Sequence, residues 1–546
     1  MPQEFTLASV FAAVADAYPD RDAIVFRDRR LSYADVLDRS NRLARVLAEA
    51  GLGARSGRDG LGGHESHQDH LGLYLHNGNE YVEGMLGAYR ARVAPFNVNY
   101  RYVAEELRYL LGDAAAGGLV YHARFAPLLA EVRDELPDLR LLLQVADDSG
   151  EPLLDGAVDY EEALAAADPT PPDVEPSPDD LYILYTGGTT GMPKGVLWRQ
   201  HDIYVGAMGG RPFGQSEVLA DLDAVVAAGA GGGARAVVTP PLMHGAAQWL
   251  TFNTFTGGGA ILIPDDPSRL DPVGIWDLAE REGVNTLQLV GDAFARPLVE
   301  ELERSSRSLP SLVAVVNGGA PFTPALKERM LDQLPDIFLL DAVGASETGA
   351  QMGQTSVRGA ATTGTFTPGP DTVVVDAAMT RVLEPGDDDT GWLAQRGYVP
   401  LGYLGDPEKT ARTFPVVGGV RLAVPGDRAR WREDGIIELL GRDSVTINSG
   451  GEKIYAEEVE MALAPHPSVA DVVVTGRPSE RWGQEVVAVV QLAEGAEPDV
   501  EGLLAEAATH VARYKLPKDV VFVEQIQRSP AGKADYRWAK AQAEGG

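Results

Sequence analysis

The feature that most constrains the fold is a short apolar run followed at once by a loop rich in glycine and threonine. Residues 181–185 read Leu-Tyr-Ile-Leu-Tyr, which has the length and composition of a buried β-strand. Residues 186–196 then read Thr-Gly-Gly-Thr-Thr-Gly-Met-Pro-Lys-Gly-Val. Glycines let backbone N–H groups turn toward an anion, while the threonine hydroxyls and Lys194 add donors and a positive charge. The pattern predicts a phosphate-binding loop at the end of a strand.

This loop differs from the phosphate loop of P-loop kinases and GTPases. Their motif requires Gly-Lys-Ser/Thr in direct succession, whereas Met192 and Pro193 separate Gly191 from Lys194, and no hydroxyl residue follows the lysine. A P-loop enzyme is therefore disfavoured. The alternative interpretation is a mobile surface loop without a ligand, which the preceding apolar strand disfavours.

Apolar strand-like runs alternate with amphipathic segments through most of the chain. Residues 259–264 form one such run, and residues 274–280 follow with a helical pattern. This alternation predicts an α/β layering. Glycine-containing segments that combine turns with polar side chains follow the loop in order: Val316–Pro321, Asp341–Gly349, Val424–Asp427, Gly441–Tyr455 and Arg528–Asp535.

Together with the loop, these segments resemble the signature blocks of the adenylate-forming (ANL) superfamily, which includes acyl-CoA synthetases, firefly-type luciferases and peptide-synthetase adenylation domains. Within it, the chain is most similar to actinobacterial fatty-acyl and steroid-side-chain CoA ligases. The resemblance implies an α/β fold with a large N-terminal adenylation domain, residues 1–442, made of two α/β subdomains and a distorted β-barrel. It also implies a small mobile α+β C-terminal lid domain, residues 443–546, that pivots at Ser444.

The resemblance also implies roles for individual residues. Glu347 would hold Mg²⁺, Asp427 would bind the ribose hydroxyls of ATP, and Arg442 would approach ribose or phosphate. Lys533 would be the catalytic lysine, with Glu347, Thr186 and His244 also in the catalytic set; His244 would line the acyl and pantetheine passage or serve as a structural turn histidine. The nucleotide-binding set implied in this way also contains Thr186, Gly187, Gly188, Thr189, Thr190, Lys194, Gly319, Ala320, Pro321, Asp341, Ala342, Val343, Ser346 and Lys533.

The function implied is ATP-dependent ligation of a carboxylic acid to CoA. The acid, which could be fatty, steroidal or aryl, would form an acyl-adenylate with release of pyrophosphate and then pass to the CoA thiol. Alternatives keep the adenylation and change the acceptor to a carrier-protein thiol or an amine, or change the activated group to an oxyanion such as nitrite. A non-catalytic nucleotide-binding relative is disfavoured because Lys533 and Glu347 are both present.

Composition limits the partners. The formal net charge is −33, with 47 basic and 80 acidic residues, and a field of this sign repels nucleic acid. The chain has no cysteine, so disulfides and an enzyme-bound cysteine thioester are excluded. We expect no integral membrane segment and a cytoplasmic location, because no basic n-region precedes the first apolar stretch and no run reaches bilayer length. The sequence does not determine the oligomeric state, and a homodimer is one option.

Residues 55–70 form an unusual glycine-rich stretch that carries His64, His67 and His70. Three imidazoles could suggest a metal site, but spacing by three on a glycine-rich loop gives no fixed face, and no second cluster matches it. We therefore expect an exposed loop.

Overall fold

The computed structural model describes residues 3–186, 192–305, 307–387, 389–442, 445–449, 452–479, 482–529 and 532–545. Within these ranges the α-helices are α1 (Leu7–Ala17), α2 (Tyr33–Glu49), α3 (Asn79–Arg90), α4 (Ala104–Asp113), α5 (Ala126–Val132), α6 (Tyr160–Ala166), α7 (Gln200–Ala207), α8 (Leu222–Ala228), α9 (Gly245–Thr256), α10 (Pro272–Glu282), α11 (Gly291–Arg304), α12 (Pro324–Gln333), α13 (Pro407–Thr413), α14 (Ala456–Leu463), α15 (Val500–His510) and α16 (Tyr536–Gly545).

The β-strands of the same ranges are β1 (Asp22–Phe26), β2 (Arg29–Ser32), β3 (His70–Tyr74), β4 (Ala94–Asn97), β5 (Ala116–His122), β6 (Leu141–Val145), β7 (Val158–Asp159), β8 (Leu181–Thr186), β9 (Lys194–Arg199), β10 (Arg235–Val238), β11 (Ala260–Ile263), β12 (Thr286–Leu289), β13 (Ala314–Gly318), β14 (Phe338–Ala345), β15 (Gly349–Ser356), β16 (Thr365–Pro368), β17 (Thr372–Val375), β18 (Thr390–Gln395), β19 (Gly402–Tyr403), β20 (Val416–Val417), β21 (Val420–Arg421), β22 (Asp427–Trp431), β23 (Ile437–Arg442), β24 (Ile447–Ser449), β25 (Glu452–Ile454), β26 (Val469–Ser479), β27 (Gly483–Leu492) and β28 (Asp519–Val523).

Two sheets with parallel cores form the first part of the protein. One has the order β19-β9-β8-β4-β3-β5-β6-β7, and its strands are parallel from β8 to β7. The other begins β2-β1-β11-β10-β12-β13-β14 and is parallel from β1 to β14. Parallel strands require crossover connections, usually helices, that cover the faces of the sheet. The predicted α/β layering is confirmed.

The second sheet continues as an antiparallel one. After β14 it runs through β15, β16, β23, β22, β18 and β17. Successive residues of β17 point to opposite faces, so Val374 packs with Leu393 in one apolar cluster while Val373 packs with Ala394 in another.

A separate small sheet forms the last part of the protein. It has the order β25-β24-β27-β26, and β28 pairs with β27 in parallel. Helices α14 and α15 pack on it around a core that includes Ile447, Val474, Val490 and Leu503. The prediction of a large first domain and a small α+β C-terminal one is confirmed.

Several helices begin at a residue whose side chain caps the first turn. At α2 the Ser32 hydroxyl accepts a hydrogen bond from the Asp35 N–H at 3.1 Å, and the Asp35 carboxylate accepts one from the Ser32 N–H at 2.9 Å. This reciprocal pair satisfies backbone donors that have no partner inside the helix. No helix within the described ranges is both long and apolar enough to cross a bilayer.

The prediction that residues 55–70 form an exposed loop is wrong for two of the three histidines. His67 and His70 are each only 2% exposed. His67 Nε2 lies 3.2 Å from Asp180 Oδ1, and His70 Nε2 lies 2.7 Å from Ser66 Oγ. Burial lowers the pKa of His70 to about 4, so the imidazole is neutral. Both nitrogens of the His70 ring have polar partners, the Ala114 carbonyl and the Ser66 hydroxyl, whereas His67 has one through its Nε2 atom, and its Nδ1 atom has none within the described ranges.

Candidate active site

The β8–β9 hairpin places two predicted phosphate ligands opposite each other. Thr186, the last residue of β8, is paired in register with Lys194, the first residue of β9. The two residues therefore flank the predicted phosphate loop. Four further predicted ligands in that loop lie outside the described residues: Gly187, Gly188, Thr189 and Thr190.

A carboxylate that the sequence analysis missed holds Lys194. The Lys194 Nζ atom lies 3.4 Å from Asp113 Oδ1. The same carboxylate accepts hydrogen bonds from the hydroxyls of Tyr185, at 2.9 Å, and Tyr109, at 3.2 Å. Burial lowers the pKa of Lys194, but Tyr109 and Asp113 outweigh it, so that the pKa is raised overall. The ammonium is thus kept charged at the edge of the loop, and Asp113 already balances its charge.

Glu347, the predicted metal ligand, lies in the turn between β14 and β15. The Tyr403 hydroxyl donates a hydrogen bond to Glu347 Oε1 at 2.7 Å. The turn itself is fixed from β9, because the indole N–H of Trp198 donates to the carbonyl oxygen of Ser346 at 2.8 Å. Ser346 and Glu347 are therefore held beside the strand that carries Lys194.

The surroundings of Glu347 fit a cation that is bound mainly through its substrate. Among the residues that the structure describes, no group of three His, Cys, Asp or Glu side chains could hold a metal. Mg²⁺ is usually held by one or two carboxylates together with substrate phosphates. Glu347 offers such a carboxylate, and no ion pair to it occurs within the described ranges.

A cavity of about 310 Å³ lies between the first and last parts of the protein. Its walls include six residues of the predicted nucleotide-binding set: Gly319, Ala320, Pro321, Asp341, Ala342 and Val343. Gly319 has φ of +91°, a left-handed conformation that favours glycine. The backbone therefore turns sharply at the wall of the cavity.

The carboxylate of Asp341 is held from two sides below this wall. Its Oδ1 atom accepts a hydrogen bond from the Asn317 amide at 2.8 Å, and its Oδ2 atom forms a short ion pair with the buried Lys327. Asn317 also accepts from the Gly291 N–H at 2.7 Å and donates to the Ala320 carbonyl at 3.1 Å. Asp341 thus organises the backbone of this wall, and its carboxylate oxygens already have protein partners.

The predicted ribose ligand and its neighbour face each other across two strands. Asp427 begins β22 and is paired in register with Arg442, the last residue of β23. The Arg442 Nε–H donates to Asp427 Oδ1 at 3.2 Å. The carboxylate of Asp427 raises the pKa of the Arg442 guanidinium above its ordinary value, so a permanent positive charge lies at the rim of the cavity.

Lys533 reaches this cavity from the C-terminal part of the chain. A Cβ atom placed on Gly319 would lie 3.9 Å from Lys533 Cε, and one placed on Gly532 would lie 3.1 Å from Val290 Cγ1. Lys533 keeps solvent-accessible surface, yet enough protein surrounds its ammonium that burial lowers the pKa of Lys533. Arg442 acts in the same direction, whereas Glu347 and Asp427 oppose it. Four predicted site residues therefore form one electrostatic group.

A second contact joins the C-terminal part to the rest of the protein. Glu457 of α14 accepts a hydrogen bond from the Arg442 backbone N–H at 3.4 Å. Gly441 has φ of +112°, and a Cβ atom at this position would collide with the Glu457 carboxylate. Burial raises the pKa of Glu457 to about 7. A glycine is thus required at 441 for α14 to approach the end of β23.

His244 is the residue immediately before α9. Its Nε2 atom is buried and has no hydrogen-bond partner within the described part of the chain. Burial, with Lys533 as the next largest cause, lowers the pKa of His244 to about 3. The imidazole is therefore neutral and lies within electrostatic range of Lys533.

Comparison with known proteins places this geometry in a family. The sequence profile described as AMP-binding enzyme matches residues 11–404, and that described as AMP-binding enzyme C-terminal domain matches residues 458–533. The chain belongs to the AMP-binding enzyme family. The predicted membership of the adenylate-forming superfamily is confirmed.

Two curated relatives of this AMP-binding enzyme match over nearly their whole length. The medium-chain acyl-CoA ligase Mig of Mycobacterium avium is 58% identical, with 99% of each chain covered. A ligase of Mycobacterium tuberculosis named for medium- and long-chain fatty acids and for 3-oxocholest-4-en-26-oate is 41% identical, with 100% of this chain and 97% of the relative covered. The prediction of the actinobacterial acyl-CoA ligase branch is confirmed.

Solved structures agree on the fold. The anthranilate CoA ligase AuaEII in complex with anthranoyl-AMP superposes with a TM-score of 0.80 at 18% identity, covering 100% of this chain and 98% of that one. ATP-bound MatB from Rhodopseudomonas palustris gives a TM-score of 0.78 at 23% identity, with 98% and 99% covered. At these identities the likeness concerns the fold alone.

Sequence reasoning about this AMP-binding enzyme missed Asp113, Tyr403 and Lys327. Lys327 had a readable signal: it lies on α12 with Leu326, Met330 and Leu331, all of them buried. A lysine at an apolar position of the 3.6-residue repeat predicts a buried cation, which needs a carboxylate partner. Asp113 and Tyr403 had no comparable signal.

Proposed function

We propose that this AMP-binding enzyme is an ATP-dependent ligase that joins a medium-chain fatty acid to CoA through an acyl-adenylate. The observation that carries the proposal is the meeting of Lys533 with the wall of the cavity at Gly319, beside the Asp427–Arg442 pair. In this arrangement one ammonium from the C-terminal part faces the site that borders adenine and ribose.

Adenylation requires two anions to react. A carboxylate oxygen attacks the α-phosphorus of ATP, the bond to the β-phosphate oxygen breaks, and pyrophosphate leaves. Lys533 would contact the carboxylate and the α-phosphate together, offsetting their repulsion as negative charge develops in the transition state. Burial lowers the pKa of Lys533, and Glu347 and Asp427 offset part of this effect by favouring the protonated form.

Glu347 is the residue that would hold Mg²⁺, which when bound draws negative charge from the leaving pyrophosphate. Tyr403 orients this carboxylate through its 2.7 Å hydrogen bond. Thr186 and Lys194 would bind the β- and γ-phosphates from the strand ends that flank the loop.

The second half-reaction requires the C-terminal domain to move. We place its boundary between residues 442 and 443, with Ser444 as the pivot; residues 443 and 444 lie outside the described ranges. The contacts that such a rotation would break include those of Glu457 and Gly532. Rotation would carry Lys533 away and open the passage beside His244 to the pantetheine thiol, while the lid keeps water from the adenylate between the steps.

The choice of a medium-chain acid rests on the relative at 58% identity. A steroid side-chain acid is the second candidate, and the relatives at 41% identity favour it. We also propose a cytoplasmic location. A homodimer stays a prediction, which analytical ultracentrifugation can test.

The test is a competition among acids. The protein, ATP, Mg²⁺ and CoA are incubated with C6 to C18 fatty acids, 3-oxocholest-4-en-26-oate and benzoate, and kcat/KM is measured for each acyl-CoA together with AMP. We expect the highest value between C6 and C12, since each buried CH₂ contributes about 0.8 kcal/mol until the pocket is full. A maximum on the steroid acid would select the second candidate. Formation of AMP without any thioester would contradict CoA as the acceptor and favour a carrier thiol or an amine.

A further inference from the structure

Beside Glu347, Tyr403 links two charged groups that the predicted site does not connect. Its hydroxyl donates to Glu347, while the Nζ atom of Lys409 lies over the face of its ring, 4.1 Å from the ring centroid. An ammonium over a tyrosine face is attracted by the ring quadrupole. The aromatic ring thus fixes the place of a lysine close to the predicted metal ligand.

The sheet brings this lysine to the phosphate loop. Tyr403 ends β19 and pairs with Val196 of β9, and the Leu404 N–H donates to the Gly195 carbonyl at 2.8 Å. These partners directly follow Lys194. Burial lowers the pKa of Lys409, and Glu347 and Lys194 are among the charges that act on it, so its ammonium lies within electrostatic range of both.

Lys409 differs from Lys194 in having no ion pair within the described ranges, although Glu347 and Asp406 act on its ammonium at longer range. No hydrogen bond or ion pair to its Nζ atom occurs among the residues that the structure describes, although the side chain is half-buried. The nearby Asp406 carboxylate instead accepts from the Lys409 backbone N–H at 2.9 Å, as the cap of α13. Because Asp113 balances Lys194 and Glu347 is negative, these three groups alone sum to a negative charge, which repels a polyphosphate.

We propose that Lys409 is a further ligand of the β- and γ-phosphates of ATP and of the pyrophosphate formed from them. Its ammonium supplies the positive charge that the Lys194–Asp113 pair does not, on the side of the site defined by Glu347 and Tyr403. The inference rests on the proposed adenylation function and adds a residue to its phosphate subsite. AMP lacks both of these phosphates, so Lys409 does not contribute to its binding.

The test measures binding in the absence of acid and CoA, by isothermal titration with Mg²⁺-ATP, Mg²⁺-pyrophosphate and AMP as separate probes. For Lys409→Met we expect the Kd of ATP and of pyrophosphate to rise about 10-fold or more, as for loss of one charge-assisted hydrogen bond. The Kd of AMP should stay within about 2-fold, since Asp427 and Arg442 are untouched. Lys409→Arg should retain most of the affinity, because it keeps the charge.

The matched control is Arg412→Gln, which removes one positive charge from the same helix at an exposed position. It should leave all three Kd values nearly unchanged. Equal losses for AMP and ATP in Lys409→Met, or an equal loss in Arg412→Gln, would overturn the proposal, because either result indicates a structural or long-range charge effect. If the unmodified protein bound neither ATP nor AMP, the adenylation function itself would fail, a result distinct from failure of Lys409 alone.

Discussion

Replacing Lys327 by methionine would leave the Asp341 carboxylate buried without its cation. Asp341 would keep only the hydrogen bond from Asn317, while its other oxygen would face the methionine. Lys327 is fully buried and Asp341 is 5% exposed, so the carboxylate is largely shielded from water. Removing one partner of a buried ion pair typically costs about 3–5 kcal/mol, and we expect a loss of this size in the free energy of unfolding.

The matched variant separates charge from packing. In Lys327→Met with Asp341→Asn, the uncompensated charge is gone and position 341 still offers an oxygen to Asn317. The remaining cost should fall to about 1–3 kcal/mol, the penalty of an unsatisfied amide. Urea unfolding, monitored by tryptophan fluorescence, measures the loss in the free energy of unfolding for both variants. The buried Trp276 reports on this region because it shares an apolar cluster with Met330 and Leu331 of α12.

The loss should also depend on pH. Burial raises the pKa of Asp341, and Lys327 and Asn317 counteract part of that rise, so removing Lys327 raises the pKa further. Between the unfolded value of about 3.9 and this raised folded value, the folded state binds more protons than the unfolded state. Its stability therefore falls as pH increases. The penalty of Lys327→Met should be smaller at acidic than at neutral pH. A double variant as unstable as Lys327→Met, or a penalty that grows on acidification, would refute the reasoning.

Three further predictions concern the reaction. Lys533→Ala should slow adenylate formation, measured as single-turnover pyrophosphate release, by about 10²-fold to 10³-fold. Thioester formation from a supplied acyl-adenylate should change little. Near-normal pyrophosphate release would show that Lys533 does not act in the first step. Tyr403→Phe should raise the Mg²⁺ concentration for half-maximal rate by about 10-fold, since Glu347 loses a charged hydrogen bond. An unchanged Mg²⁺ dependence would argue against a role of Tyr403 in orienting the Glu347 carboxylate. Ser444→Pro should impair thioester formation more than adenylation, because proline restricts the pivot, and equal losses in both half-reactions would count against a rotating lid.

The sequence by itself determined the order of the signature blocks and the type of secondary structure next to them. The run at 181–185 is a buried strand that leads into the loop, and the pattern at 274–280 lies within α10. Both predictions succeeded because the hydrophobic period and the turn residues act over a few neighbouring positions. The resemblance that these blocks carry also supplied Lys533, Asp427 and Arg442, which the structure brings to one cavity.

Only the tertiary structure decided which charged and polar side chains are partners of one another. Lys194 and Asp113 are 81 positions apart, and Tyr403 and Glu347 are 56 apart; no local pattern encodes such pairs. The burial of His67 and His70 could not be predicted from the sequence either, because they lie in a segment whose composition is typical of an exposed loop. The physical reason is that a buried polar group is stable only when the fold brings it a partner, and this partner comes from a distant part of the chain.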